Sequence, residues 1–134
     1  MGCAGSKTNK ELRADLEASG EAVDVITFGL ISGGCQFNGL ESKGAGQWKG
    51  NGVLALTDKR VVFRSFSTAP SVEFQNAAIL SVEQTNAFPG GVTATGCLKI
   101  RFRSGEGEED ALYVTPTLGT HGNWVQRLEA QKSG

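Results

Sequence analysis

The start of the chain carries its most pointed chemistry. Met1-Gly2-Cys3-Ala4-Gly5-Ser6 places a glycine behind the first methionine and a serine four residues further on, the pattern of an N-myristoylation signal. With the methionine removed, the Gly2 amine can form an amide with an acyl chain. Cys3 beside it offers a thiol for a second, thioester-linked palmitoyl chain. One myristoyl chain holds a protein only marginally at a membrane, at roughly 10⁴ M⁻¹, whereas two chains anchor it stably. Lys7, Lys10 and Arg13 add a small electrostatic attraction to an anionic surface. The competing reading is a chance run of small residues, or a bacterial chain that never meets the transferase.

A second set is Lys99, Arg101 and Arg103. Strand alternation puts these three cations on one face while Leu98, Ile100 and Phe102 point inwards. Such a row can meet the phosphates of a phosphoinositide head group or an acidic peptide. It is equally the pattern of a solvated strand face, neutralised by Glu83 or by the acidic turn Glu106–Asp110 and guarding the sheet against edge pairing. Lys43 and Lys49 flank Trp48, whose indole suits either a membrane boundary or the lid of a barrel end.

Catalytic chemistry finds little support. The single histidine, His121, sits in Leu118-Gly-Thr-His-Gly-Asn123 without a partner cysteine or serine motif, and reads as a capping or surface residue. The glycine pairs lack the lysine and the strand–helix context of a phosphate-binding loop. Glu106–Asp110 has no calcium-loop spacing, and Cys3, Cys35 and Cys97 share no zinc-ligand spacing. No catalytic residue, metal or cofactor is therefore assigned, and the expectation is a protein that is not an enzyme.

Composition sets the frame for these residues. The chain has 134 residues, 39 % of them apolar and 20 % charged, which suits one globular domain with a modest core. A net charge of −1 gives no field that would draw nucleic acid, so nucleic-acid partners are not expected. The most apolar stretch, Ala22 to Ile31, is too short to span a bilayer and carries Asp24. Three cysteines, odd in number, fit a reducing, cytoplasmic compartment better than a disulfide framework. The oligomeric state is left open.

The elements follow from periodicity and punctuation. Met1–Asn9 is small and polar and reads as a mobile tail. Thr8-Asn-Lys-Glu11 has the form of a capping box, so a short helix is expected over about Lys10–Ala18, docking Leu12 and Leu16 weakly and stopping at Gly20. The domain proper is then 21–134. Val23, Val25 and Phe28-Gly-Leu30 suggest a strand in which Ile26 breaks the alternation, and Cys35-Gln-Phe37 a second, short one. Gly39–Gly50 reads as a polar loop. The clearest hairpin is Val53–Thr57 with Arg60–Phe66 around Asp58-Lys59. Val72–Phe74, Ile79–Glu83, Leu98–Arg103 and Leu112–Val114 are further strand runs. Trp124, Val125 and Leu128 then fall on one helical face, with Leu118 before them. About seven strands and one terminal helix predict a mostly β fold, an antiparallel barrel plugged by Trp124 and Leu128.

The order of these residues resembles the pleckstrin-homology-like superfamily, and most closely its GRAM-type domains. Gly52-Val-Leu54-Ala-Leu56-Thr57-Asp58-Lys59-Arg60-Val61-Val62-Phe63 is similar to their hairpin, glycine-x-leucine-x-leucine-threonine followed by arginine and an apolar strand. Val72-Glu-Phe74 with Ile79-Leu-Ser81-Val82 resembles the next two strands, and the likeness runs from about Glu21 to Ala130. It implies a lipid- or protein-binding module. Inositol phosphates are often held near the loop and hairpin region that here contains Lys43, Lys49, Lys59, Arg60 and Arg64. The basic first hairpin of the lipid binders has no counterpart, since Cys35–Ser42 holds no cation. The long glycine-rich segment before Gly52 and the insertion-like Asn86–Gly96 also depart from the pattern. Two functions follow as expectations. One is a peripheral-membrane adaptor tethered through Gly2 and Cys3 that presents a face to lipid or protein. The other is a soluble scaffold that binds peptides or self-associates.

Overall fold

Gly52 sets the geometry of the sheet. It lies where three strands converge, opposite Cys35 on one side and Ser65 on the other. A Cβ there would stand 2.4 Å from the Arg64 carbonyl oxygen and 2.6 Å from the Phe63 ring, so only glycine lets these backbones approach. The computed structural model describes residues 4–26, 35–44, 46–47, 50–65, 71–116 and 120–132, with the backbone alone for 4–9, 25 and 26.

In chain order the elements are α1 (Ala4–Ala18), β1 (Val23–Ile26), β2 (Cys35–Leu40), β3 (Gly50–Thr57), β4 (Arg60–Ser65), β5 (Val72–Gln75), β6 (Ile79–Phe88), β7 (Gly91–Arg103), β8 (Glu109–Thr115) and α2 (His121–Lys132). All pairings are antiparallel and the order across the sheet is β5-β4-β3-β2-β8-β7-β6. β1 and β2 share one edge of β3, β1 opposite Ala55–Thr57 and β2 opposite Gly50–Gly52. The sheet rolls up until its ends meet. Phe74 of β5 stacks on Phe102 of β7 with ring centroids 4.2 Å apart and planes 5° from parallel. No ladder joins β5 to β6 among the described residues, so the barrel has a seam held by side chains.

The inward residues of the expected hairpin, Leu54, Leu56, Val61 and Phe63, form the core with Leu98, Ile100, Leu112 and Val114. Trp124 and Leu128 of α2 belong to the same buried cluster and plug the barrel as anticipated. Leu118, Phe28 and Leu30 lie outside the described residues.

Several boundaries differ from expectation. The N-terminal helix begins at Ala4 and not near Lys10, so Thr8 lies inside the helix and not at its start. Its docking is firm: Leu12 and Leu16 are each 1 % exposed and pack on Val53, Ala55 and Val62. That packing explains why alternate residues of β3 and β4 are apolar on both faces. The core lines one face and α1 covers the other. Asn86–Gly96 forms the far part of the β6–β7 hairpin. Pro89 and Gly90 turn it, Gly90 having φ +95° at the position where a type II turn needs it. The Gly39–Gly50 segment likewise starts as strand, since β2 runs to Leu40.

Candidate binding cleft at the barrel seam

A polar knot ties the β3–β4 turn to its surroundings and places the side chains that rim the seam. Thr57 is fully buried, and its hydroxyl oxygen accepts from the amides of Lys59 and Arg60, each at 3.0 Å. The hydroxyl itself donates to Glu21 Oε1 at 2.8 Å. Arg60 donates through Nε to both Glu21 oxygens at 3.0 and 3.1 Å, and its NH1 bonds Glu73. Burial alone would raise the Glu21 carboxyl. The hydrogen bonds from Arg60 and Thr57, with the charges of Arg60 and Lys59, outweigh it and hold the group below its ordinary range. Asn76 closes the knot by donating to the Thr57 carbonyl at 2.9 Å. The threonine and arginine of the sequence motif therefore have physical roles: one caps the turn, the other pins β4 to the chain before β1 and to β5.

Beside this knot, where β5 faces the ends of β6 and β7, a cleft of about 760 Å³ opens. Phe74, Leu80 and Phe102 give it an apolar floor, and Arg60, Glu73 and Arg103 stand at its rim. Phe74 and Phe102 are held by their stacking, while Leu80 is half-buried and faces solvent in part. β5 pairs with β4 through Val72–Gln75, and among the described residues no strand occupies its other edge. The site thus combines a strand edge that no described strand pairs, an apolar trough and charge of both signs, a combination that can receive an extended peptide.

Of the cations singled out in the sequence, Arg60 and Arg103 line the cleft. Lys99, Arg101 and Arg103 do share one face of β7, and each meets a carboxylate. Lys99 Nζ lies 3.6 Å from Glu41 and 3.9 Å from Glu83, and 5.7 Å from the centroid of the Tyr113 ring. Hydrogen bonding with Tyr113, and the charges of that residue, Glu41 and Glu83, raise the Lys99 pKa against the effect of burial. Arg101 bonds Glu109, and Arg103 lies 3.7 Å from the same carboxylate while donating to the Gly107 carbonyl at 3.1 Å. Lys43 is exposed in the 3-10 turn Glu41–Lys43, two residues beyond the Glu41 that holds Lys99. Gly2, Cys3, Trp48 and Lys49 lie outside the described residues.

The remaining reactive side chains are built into the frame. His121 is buried at the start of α2, its Nε2 3.0 Å from the Gly96 carbonyl oxygen. Cys35 is in the core and burial pushes its thiol far up, and burial lifts Cys97 to about 11, so neither is a ready thiolate. Among the described residues, no three His, Cys, Asp or Glu side chains gather as metal ligands, and no helix is long and apolar enough to cross a membrane.

Over this whole architecture the chain is similar to the crystal structure of the C-terminal domain of an unknown protein from Leishmania infantum. The TM-score is 0.62 at 12 % identity, covering 93 % of this chain and 97 % of that one. The likeness is one of fold. No family model and no curated protein matches the chain.

Glu73, Leu80, Ser104 and Gly105, which line the cleft, carry no sequence signal of their own. Phe74 and Phe102 were visible only as strand residues. What could have pointed to the cleft is the arginine of the hairpin motif, because a cation that closes a turn at a barrel end also stands at that end's opening.

Proposed function

We propose that this chain is a non-enzymatic, pleckstrin-homology-like binding module of GRAM type, and that its seam cleft receives an extended protein segment. The observation that carries this reading is the cleft itself: an open β5 edge beside a trough floored by Phe74, Leu80 and Phe102. Main-chain bonding to such an edge supplies affinity, and the trough selects an apolar side chain. The carboxylate partners of Lys99, Arg101 and Arg103 also favour a protein ligand over a phosphoinositide, since a phosphate would have to displace them.

A second reading, the peripheral-membrane adaptor, rests on the Met1–Ser6 acylation pattern and is compatible with the first. The C-terminal end of α1 leads to Ala22, whose amide bonds Asp58 in the β3–β4 turn next to Arg60. No residue of α1 lines the cleft.

The test is selection from a displayed library of random peptides against the immobilised protein, followed by affinity measurement on the wild type and on Leu80→Glu. Selected peptides should carry an apolar residue in an extended segment, and Leu80→Glu should weaken them about tenfold or more. Peptides that bind Leu80→Glu as well as the wild type would remove the cleft from the reading. Intact mass after expression in eukaryotic cells, beside Gly2→Ala, tests the tether separately.

A further inference from the structure

The far part of the β6–β7 hairpin breaks a rule that the rest of the barrel keeps. From Gln84 to Leu98 no residue is charged. Asn86 and Ala87 are neighbours on one strand and both exposed, as are Gly91 and Val92 on the other, while Phe88 at the tip packs against Cys97, Ala111 and Tyr113 and holds the arm to the sheet. Val92, 78 % exposed, is the large apolar side chain most open to solvent among the described residues. β6 is also a terminal strand of the sheet. Terminal strands are usually protected from pairing by charge or by distortion. The arm of β6 has no such guard.

We propose that this arm is a self-association element, in which the outer edge of β6 over Gln84–Ala87 pairs antiparallel with the same edge of a second copy of the chain. Three observations favour a second copy as the occupant. A two-fold axis through paired edges sets each residue near its own counterpart, so a charge there would meet itself, and this segment has none. The extra residues of the pairing lie away from this edge. Between Thr85↔Cys97 and Ala87↔Val92 only Asn86 intervenes on β6, against Thr93–Gly96 on β7, so the bulge belongs to β7. The arm is also pre-organised. Asn86 Nδ2 donates to the Thr93 carbonyl at 2.9 Å, and His121 of α2 meets Gly96 at the arm's base, so little ordering is lost on docking. Val92 then gains cover from the partner. Two short paired edges make a small interface, so association in the micromolar range or weaker is expected.

Sedimentation of the full chain, produced without acylation, tests this from about 10 µM to about 1 mM. The wild type should move from monomer towards dimer with rising concentration. Ala87→Lys, an exposed substitution that leaves the fold intact by circular dichroism, should weaken the dimer about tenfold or more. Leu80→Glu, the cleft variant, should leave it unchanged, which separates this proposal from the peptide-binding one. A wild type that stays monomeric throughout overturns the proposal and leaves the arm to a heterologous partner. A dimer indifferent to Ala87→Lys, or lost in Leu80→Glu, overturns it as well.

Discussion

Replacing Leu16 by alanine should destabilise the whole domain, not only the helix that carries it. Leu16 is 1 % exposed and packs with Leu12 against Val53, Ala55 and Val62, the outer face of β3 and β4. Truncating a buried leucine typically costs about 2–5 kcal/mol, the lost transfer free energy plus the cavity left behind. This site lies under a single helix that can shift towards the sheet, which places the cost near the lower end, about 2–3 kcal/mol. Leu12 sits one turn earlier on the same patch, so Leu12→Ala should cost a similar amount. The double variant should cost less than the sum, because the first truncation already loosens the contact. Against a total stability of about 5–15 kcal/mol, either change is large. Urea unfolding followed by tryptophan fluorescence is the assay, since Trp124 is in the barrel core on the other side of the sheet. If α1 is integral, the midpoint falls at unchanged slope. A Leu16→Ala shift below about 0.5 kcal/mol would refute the reasoning: the helix would then be detaching locally without cost to the barrel.

Two further substitutions probe the knot and the strand crossing. Gly52→Ala should be more damaging than its single added methyl suggests, by about 3 kcal/mol or more or by loss of soluble protein, because the Cβ meets the backbone of β4 at 2.4 Å and nothing flexible can yield. Thermal melting decides it, and a melting temperature within a degree or two of wild type would contradict the close approach. Glu21→Gln removes the charge that Arg60 holds and should cost about 1–3 kcal/mol at neutral pH, moderated because Glu73 still holds Arg60. The Glu21 carboxyl is depressed in the fold. Its contribution is therefore complete above the ordinary value of 4.5 and is lost as pH falls through the lower folded value. The wild type should lose part of its advantage over Glu21→Gln below about pH 4, and parallel stability curves across that range would argue against it.

The sequence was most legible where two patterns coincide. In Val53–Phe63 the period-two alternation and the Asp58-Lys59 turn agree, and the observed β3 and β4 match them to within a few residues. Trp124 and Leu128 were legible because a helical period follows a run of strands. The start of α1 was not, because Ala4–Asn9 has no apolar face and its helical state depends on the turns beyond it, which dock through Leu12 and Leu16. The far part of the β6–β7 hairpin was missed for a related reason. Apart from Phe88 and Cys97 its strands bury little, so Ala, Gly and Thr replace the alternation that marks a half-buried strand, and only Pro89-Gly90 betrays the turn. The cleft was illegible because it is made where β5 meets β7, residues about thirty apart in sequence, by a stacking of Phe74 on Phe102 that no local pattern encodes.

The shared edge of β3 has a consequence for how the chain can vary. Ile26 stands opposite Ala55 and Cys35 opposite Gly52, so only Val53 and Leu54 separate the two ladders. Two residues would have carried a single strand across that gap, yet the chain places eight there, 27–34. The register on either side is fixed by partners on β3, and the cost of closing a loop grows only with the logarithm of its length. Segments of quite different length can therefore replace these eight without moving either half of the strand. With each half held by its own partners on β3, a tag or a small domain inserted between Ile26 and Cys35 should leave the barrel standing.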